Sequence, residues 1–400
     1  MLSDGARRVP LSSPSSSPGP ASAEMKSDES LDVVVVGGGV VGLAIAWRLL
    51  LRGRRVAVLE RGAAGRGATW AAAGMLAPSA EIMFDEPDLF VLGRDSLNRW
   101  PAFAAELAAA SGIDPGYEAA GTLLVADDRD AATALRRLHA FQAEQGAPVE
   151  WLASEEAIDR EPLLSPRIVG AVWSPYDHRV DPRATVEALG AVVNAAGALR
   201  EGVDVVAVEA GDSPAAVLGD GRRLSARAIV VAAGAWSGGV RGLEPAPAVR
   251  PVKGQAAALR MTETLRLRHA VRTPRAYLVP RSDGRLIVGA TVEDVGFDMR
   301  VTAGGIYRVL DGAVRVVPAV EEMELIETWA GPRPATRDHL PLLGRVDDRV
   351  WLATGHYRHG ILLAPATADE IASEVDAALD GRTETSSALS RFAPGRLATG

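Results

Sequence analysis

The sequence contains no cysteine and almost no lysine. The absence of cysteine excludes disulfides, cysteine metal sites and thiol catalysis. It leaves the cellular compartment undetermined but is consistent with the cytoplasm, where we expect the protein. Only Lys26 and Lys253 are lysines, so nearly all of the 43 basic residues are arginines. An arginine therefore indicates a function only where its sequence context is special.

Long apolar runs and a basic charge balance are missing as well. No stretch approaches 18 uninterrupted apolar residues, which argues against a transmembrane helix. The formal net charge of −8 disfavours nucleic acid and anionic membranes as partners. The six histidines form no H-x-x-x-H pair on a plausible helix, so we predict no metal site.

The length and composition fit a globular protein with two domains. The chain has 400 residues, of which 48% are hydrophobic. Residues 1–30 are rich in Ser, Pro, Ala and Gly and predict a disordered tail, because such a segment buries too little apolar surface to offset its ordering entropy. The sequence does not decide whether residues 1–24 belong to the true start, since Met25 also precedes the first predicted strand.

A glycine-rich turn follows the first predicted strand. Residues 31–42 read Leu-Asp-Val-Val-Val-Val-Gly-Gly-Gly-Val-Val-Gly, so Gly37, Gly39 and Gly42 have the G-x-G-x-x-G spacing. In this motif the first glycine permits a tight turn, the second lets the backbone approach a pyrophosphate, and the third lets the helix pack on the strand. A helix from Val40 to about Arg52 and a second strand ending at Glu60 complete the unit, which predicts a dinucleotide site with Glu60 at a ribose diol.

The remaining periodicity divides the chain into alternating segments. Amphipathic patterns predict helices over 89–111, 131–146 and 154–160, and short strands lie between and after them. Asp181 is expected to cap a helix that starts at Pro182 and ends near Gly197. The resulting fold is an α/β nucleotide-binding domain with an inserted α+β domain, a layout that suits a flavoprotein better than an NAD enzyme. We predict a discontinuous Rossmann-like FAD-binding domain over 31–85, 175–250 and 325–385, an antiparallel-sheet substrate domain over 86–174 and 251–324, and a C-terminal tail over 386–400.

Several sequence blocks together resemble the D-amino acid oxidase family of FAD-dependent oxidoreductases and, within it, the glycine oxidases of thiamine biosynthesis. The resemblance runs from about residue 31 to about 385. The blocks are the glycine-rich fingerprint, Ala68-Thr-Trp-Ala-Ala-Ala-Gly-Met-Leu-Ala-Pro78, Pro251-Val-Lys-Gly-Gln255, Trp329-Ala-Gly-Pro-Arg-Pro-Ala-Thr-Arg-Asp338 and Gly355-His-Tyr-Arg-His-Gly-Ile-Leu-Leu-Ala-Pro-Ala-Thr367.

The resemblance implies FAD as the cofactor, and the absence of cysteine implies that FAD is bound without a thioether bond. The backbone of Val40 and Val41 would meet the pyrophosphate, Glu60 and Arg61 would flank the ribose, and Val205 would contact the adenine. A helix beginning at Gly360 would direct its N-terminus at the flavin ring. The expected cofactor residues are Gly37, Gly39, Val40, Val41, Gly42, Glu60, Arg61, Ala68, Thr69, Ala73, Gly74, Met75, Val205, His356, Tyr357, Arg358, His359, Gly360, Ile361 and Leu362.

Arg333, Tyr277 and Arg358 are the expected substrate residues. Prolines on both sides of Arg333 stiffen its backbone, and the resemblance implies that this arginine clamps the substrate carboxylate. Tyr277 matches a position whose phenol faces the substrate, and Arg358 matches an arginine at the mouth of the site. Arg275 stands where relatives can have histidine, and its role stays open. Val292 stands where sarcosine oxidases place a lysine, and the absence of that lysine favours the interpretation as a glycine oxidase.

The activity implied is the oxidation of glycine or another small amine, such as sarcosine or D-alanine, to the imine and then to glyoxylate and ammonia. Dioxygen would be reduced to hydrogen peroxide, and the product would supply thiazole synthesis. The alternatives are a D-amino acid dehydrogenase that uses a quinone or another acceptor, and a flavin-dependent enzyme that modifies tRNA. Thiazole synthase and a second copy of the chain are the protein partners that remain open. The sequence leaves the preferred substrate, the electron acceptor and the oligomeric state undecided.

Overall fold

The computed structural model describes residues 31–382 and 386–397. The predicted disordered tail over 1–30 lies outside the described residues, as do 383–385 and 398–400. The strands of the described part are β1 (Leu31–Val36), β2 (Val56–Glu60), β3 (Met75–Leu76), β4 (Thr122–Ala126), β5 (Glu150–Ala153), β6 (Gly170–Ser174), β7 (His178–Arg179), β8 (Leu199–Glu201), β9 (Val205–Glu209), β10 (Ala215–Leu218), β11 (Arg223–Val231), β12 (Arg250–Arg260), β13 (Ala270–Arg272), β14 (Tyr277–Pro280), β15 (Arg285–Gly289), β16 (Glu324–Ala335), β17 (Leu342–Asp347) and β18 (Val350–Thr354). The helices are α1 (Val40–Leu51), α2 (Ala68–Ala71), α3 (Pro87–Ser111), α4 (Arg129–Glu144), α5 (Ser154–Arg160), α6 (Pro182–Ala195), α7 (Ala303–Val316) and α8 (Ala364–Leu379).

The first sheet contains the predicted dinucleotide unit. Its strand order is β17-β18-β11-β1-β2-β8, and β1 is parallel to both of its neighbours, β2 and β11. Every residue of β1 is buried, as expected for a central parallel strand covered on both faces. Because the chain continues from β1 to one neighbour and returns much later to the other, a crevice opens beyond the carboxyl end of β1.

The second sheet is built mainly from antiparallel neighbours. Its order is β16-β12-β15-β14-β13-β4-β6-β5, with β13 and β4 as a parallel pair. The side chains of Leu278, Val288 and Val309 form part of a separate apolar cluster in this half of the molecule. A mixed α/β sheet followed by a largely antiparallel sheet confirms the predicted fold class, and both sheets belong to one compact unit.

Two predicted domain boundaries differ from the observed packing. The predicted boundaries place helix α3 in the substrate domain, but its Trp100 and Phe103 are fully buried in the apolar core of the first sheet. Trp100 Nε1 also donates to the carbonyl of Leu362 just before α8, at 3.0 Å. The predicted boundary at residue 325 separates strand β16 from the second sheet, but β16 pairs with β12 along almost its whole length. An apolar helix face and an extended strand each require a partner distant in sequence, which local patterning does not identify.

The predicted C-terminal tail is wrong for the described residues 386–397. Leu389 and Phe392 are 2% and 1% exposed and belong to the same core as α8. Arg396 donates to both carboxylate oxygens of Asp338, at 2.8 and 3.0 Å. Two apolar side chains three residues apart, Leu389 and Phe392, dock the segment on the core.

Phe392→Ala should therefore destabilise the fold. Removing a fully buried phenylalanine costs about 3–5 kcal/mol of unfolding free energy through lost burial and a residual cavity. We expect a clear drop in the thermal midpoint of the FAD-loaded protein. The matched control is Phe84→Ala, since Phe84 is 57% exposed and should change the midpoint little. Equal midpoints for the two variants would contradict the docking of this segment.

Candidate active site

A cavity of about 760 Å³ runs from the carboxyl end of β1 to strands β12, β14, β15 and β16 of the second sheet. The predicted substrate residues Arg333, Tyr277 and Arg358 all line it. Its lining also includes every predicted cofactor residue except Gly42, His359 and Leu362. The fold therefore brings the residues predicted for the cofactor and for the substrate into one continuous space.

The glycine-rich turn has the geometry that its spacing predicts. Gly37 has a φ of +108°, and a Cβ there would lie 2.5 Å from the carbonyl oxygen of Ala232. A Cβ on Gly42 would lie 2.0 Å from the carbonyl oxygen of Gly37, so Gly42 serves the packing of α1 and does not face the cavity. Gly39 differs, because the nearest atom to a Cβ there is Thr69 Oγ1 at 3.5 Å. The space beside Gly39 is open for a ligand.

Glu60 organises the loops at the end of the cavity expected to hold the adenosine. Its two carboxylate oxygens accept hydrogen bonds from the backbone amides of Gly38 and Gly62, at 2.8 and 2.9 Å. The guanidinium of Arg61 lies 4.0 Å from the ring centroid of Trp236, within cation–π range. Val205, the residue predicted at the adenine, lines the same end of the cavity from β9. Sequence reasoning missed Trp236, which reaches this end from the 3-10 helix Gly234–Gly239.

The segment before β3 is held against the chain by close backbone packing. Gly74 has a φ of +73°, and a Cβ there would lie 2.0 Å from the carbonyl oxygen of Val180. The buried guanidinium of Arg281 donates to the carbonyls of Val180 and Ala73. Burial lowers the pKa of Arg281 to about 10, so it stays charged at neutral pH. Arg281 therefore fixes the backbone beside Ala73 and Gly74, a role that no motif in the sequence indicates.

Arg333 lies along the backbone of β12. A Cβ on Gly254 would come within 2.3 Å of Arg333 Nη1, so the guanidinium occupies the space that a side chain would need there. Its Nη1 donates to the carbonyl of Thr291 at 3.1 Å. Because a guanidinium has five N–H donors, this hydrogen bond leaves donors for a carboxylate in the cavity.

Tyr277 has a comparable position over β15. A Cβ on Gly289, its register partner, would lie 2.4 Å from the phenol oxygen. Burial raises the pKa of the Tyr277 phenol above its ordinary value, while the Arg333 guanidinium opposes this shift. Tyr277 is therefore a neutral hydrogen-bonding group next to Arg333.

Arg358 lines the cavity from the loop before α8. Its Nη2 is 3.1 Å from Glu86 Oε2, so it already has a carboxylate partner. Burial and neighbouring acidic groups raise the pKa of Glu86 against the opposing effect of Arg358. Next to Arg358, Tyr357 has a left-handed backbone with a φ of +47°, and its amide donates to the carbonyl of Pro334 at 2.9 Å. This hydrogen bond joins the loop to β16 beside Arg333.

The predicted helix start at Gly360 is displaced. Residues 360–363 form turns, and the regular helix α8 begins at Ala364, where Pro365 suits the first turn because it has no N–H to satisfy. Burial lowers the pKa of His356 to about 3 and that of His359 to about 4, so both rings are neutral at pH 7. His356 lines the cavity and pairs with Thr367 Oγ1 at 3.1 Å, whereas His359 is not among the lining residues.

Arg275 and Val292, whose roles the resemblance leaves open, both line the cavity. Arg275 Nε lies 3.6 Å from Asp127 Oδ2, and Arg275 Nη2 lies 3.7 Å from Asp128 Oδ2. Val292 is 68% exposed and also contributes to the lining. Sequence reasoning missed four further charged lining residues, Arg66, Glu81, Asp204 and Arg272, because none of them belongs to a motif with a recognised spacing.

In the part of the chain covered by the structure, no group of three or more His, Cys, Asp or Glu side chains could hold a metal ion. Among the same residues, no helix is long and apolar enough to cross a membrane.

Comparisons with known proteins agree with this geometry. Residues 32–374 match the family model described as FAD dependent oxidoreductase, DAO. The chain is 38% identical over 368 residues to a glycine oxidase of Geobacillus kaustophilus, covering 90% of this chain and 96% of that protein. The crystal structure of glycine oxidase from Geobacillus kaustophilus superposes with a TM-score of 0.85 at 37% identity, covering 92% of this chain and 99% of that chain.

A second kind of relative is longer. The bifunctional protein ThiO/ThiG of Trichormus variabilis is 38% identical over 348 residues. The match covers 85% of this chain but 52% of that protein, so this chain corresponds to about half of it.

Proposed function

The chain belongs to the DAO family of FAD-dependent oxidoreductases, and we propose that within this family it is a glycine oxidase. The observation that carries the proposal is the Arg333 guanidinium laid over Gly254 in the cavity, beside the neutral phenol of Tyr277. A fixed guanidinium can bind a small carboxylate in a bidentate manner. The similarity to glycine oxidases along nine-tenths of the chain supports the same conclusion.

The cavity fits FAD at the glycine-rich end. Gly39 leaves open space beside the N-terminus of α1, where backbone N–H groups and the helix dipole favour a pyrophosphate. We assign Glu60, Arg61 and Val205 to the adenosine half of the cofactor and the segment from Ala68 to Met75 to the flavin half. When bound, FAD accepts the α-hydrogen of the substrate together with its electron pair, which converts the amine to an imine.

The protein's own contribution is orientation. Arg333 binds the carboxylate of glycine, which fixes the α-carbon relative to the rest of the site. Tyr277 adds a neutral hydrogen-bonding group beside that carboxylate, and Arg358 stays paired with Glu86 at the edge of the cavity. The overall reaction consumes glycine, water and dioxygen and yields glyoxylate, ammonia and hydrogen peroxide. No general base is required, because the reacting species is the neutral amine.

FAD should be bound without a covalent link. The chain has no cysteine to form a thioether, so heat or acid should release all of the flavin into the supernatant, where chromatography identifies it as FAD. Flavin retained on the precipitated chain would contradict this expectation and indicate a bond to a histidine.

Peroxide formation with glycine, sarcosine and D-alanine, measured side by side, tests the proposed activity. We expect peroxide from glycine in step with oxygen consumption, and smaller or comparable yields from the other two amines. Turnover that requires an artificial acceptor and consumes no oxygen would refute the oxidase and favour a dehydrogenase.

The longer relatives suggest the use of the product. Since the bifunctional ThiO/ThiG proteins are about twice as long as the part that matches this chain, we propose that the enzyme works with a thiazole synthase in thiamine biosynthesis, in the cytoplasm. The imine or glyoxylate would be the material transferred. Loss of growth without added thiamine after deletion of the gene, restored by the wild-type chain, would support this assignment.

A further inference from the structure

Glu81 places a buried carboxylate in the half of the cavity that holds Arg333. It lies in the loop after β3, where its amide donates to the carbonyl of Ala77 at 3.0 Å. The residue is 7% exposed, and it lines the cavity together with Arg272, Tyr277 and Arg333. A carboxylate in this position is surrounded by positive charge but faces the space that the substrate would occupy.

The contacts of Glu81 leave its hydrogen-bonding capacity unused. Arg272 Nη2 lies 3.7 Å from Oε1, and His359 Nδ1 lies 3.7 Å from Oε2. Within residues 31–382 and 386–397, no group donates a hydrogen bond to either oxygen. Arg272 instead directs Nη1 to the carbonyl of Ala80 at 2.5 Å. Because these oxygens open onto the cavity and accept no hydrogen bond from the described residues, Glu81 can accept N–H groups from a ligand bound there.

Neighbouring charges keep Glu81 ionised. Burial would raise its pKa, but Arg272, His359, Arg358 and Arg333 together lower it below the ordinary value. His359 is itself neutral at pH 7, so the three arginines carry most of this effect. The other titratable groups coupled to the Glu81 charge are the Tyr277 phenol, Glu86 and Asp177, whose pKa burial raises to about 7.

The cavity thus presents a cation and an anion to one small substrate. Glycine carries its amino group one carbon away from its carboxylate, and the two ends need partners of opposite charge. We propose that the Glu81 carboxylate binds the substrate amino group while Arg333 binds the carboxylate, so that Glu81 makes the site select amino acids over hydroxy acids and simple carboxylates. This assignment rests on the proposed function, because it takes the carboxylate to be on Arg333.

The Glu81 carboxylate should also affect the pH dependence of turnover. A carboxylate next to the bound amine stabilises its protonated form, whereas the reaction uses the neutral form. Removing the charge should lower the pKa of the bound ammonium, which moves the acidic limb of the kcat profile to lower pH. A residue that only supports the fold would lower activity without this shift.

Glu81→Gln in the FAD-loaded enzyme tests the assignment with two ligands. For glycine, we expect KM to rise by about tenfold, the size of one lost charge-assisted contact. For acetate, which has no amino group, we expect tighter binding by a few-fold, because a repulsive carboxylate is removed. Acetate binding is read from the perturbed visible spectrum of the flavin and requires no turnover.

The matched control is Glu374→Gln, which changes a buried carboxylate that accepts from Trp351 Nε1 and lies outside the cavity lining. This control should change neither the KM for glycine nor the affinity for acetate. The assignment would be overturned if Glu81→Gln weakened the binding of glycine and of acetate alike, or if it left the KM for glycine unchanged. If Glu81→Gln does not retain FAD, Glu81→Asp takes its place in the test. The binding of glycine should then weaken, whereas the binding of acetate should not. Equal weakening of the binding of both ligands would overturn the assignment.

The proposed function and the role of Glu81 can be refuted independently of each other. If the wild-type enzyme is not reduced by glycine, the proposed function is wrong whatever Glu81 does. If glycine reduces the wild-type enzyme but the opposite responses to glycine and acetate are missing in the variants, only the role of Glu81 is wrong.

Discussion

Arg333→Leu should lose most of its binding of glycine while it keeps FAD and the fold. The substitution removes one side of a desolvated charge pair, which costs about 2–5 kcal/mol in kcat/KM. The Arg333 side chain lies over Gly254 and donates a hydrogen bond to the Thr291 carbonyl. A leucine side chain is shorter and can occupy the same space. Steady-state kinetics with glycine measure the loss, and flavin content together with the thermal midpoint verify the fold.

Arg333→Lys is the informative companion variant. A lysine restores the charge but not the two parallel N–H donors, so it should recover only part of the lost kcat/KM. A simple amine without a carboxylate serves as the control substrate, and its weak turnover should barely change in either variant. An unaltered KM for glycine in Arg333→Leu would refute the assignment and move the carboxylate clamp to Arg358 or Arg275.

Gly39→Val should abolish retention of FAD. The backbone at Gly39 has φ −79° and ψ 178°, an extended conformation that valine adopts without strain. A Cβ there meets Thr69 Oγ1 at an ordinary 3.5 Å, so the folded protein tolerates the side chain. The isopropyl group would instead fill the space reserved for the pyrophosphate. The expected product is a folded, colourless protein.

Gly190→Val is the control for this substitution. Gly190 lies in α6, and a Cβ there meets no atom within 4 Å. The control should purify yellow with the wild-type flavin content. A Gly39→Val protein that purifies with the same flavin content would show that the nucleotide site is assigned to the wrong turn.

Local sequence signals predicted the elements that depend on neighbouring residues. The Asp181 side chain caps α6 as expected, because it accepts from the amides of Arg183 and Ala184 at 2.8 and 3.3 Å. The glycine-rich turn is similarly local, since its glycines meet the adjacent strand and helix. The packing of α3 on α8, the pairing of β16 with β12 and the docking of Phe392 depend on contacts between distant residues, which no periodicity reveals.

The same distinction applies to the site. The motif residues around Gly39 and Arg333 were predicted because each belongs to a recognisable block. Glu81, Arg272, Trp236 and Arg281 stand outside the fingerprints that identify the family, and their roles follow from what the fold brings next to them. His359 belongs to a motif but is not among the residues that line the cavity, so its predicted contact with the cofactor stays a prediction.

The central claim, that this cavity uses FAD to oxidise glycine, is tested most directly by adding glycine to the purified yellow enzyme in the absence of oxygen. The account predicts that one equivalent of glycine bleaches the flavin chromophore and that admission of air restores the colour, with hydrogen peroxide formed in an amount equal to the flavin. A chromophore that keeps its full colour in the presence of glycine would contradict the claim.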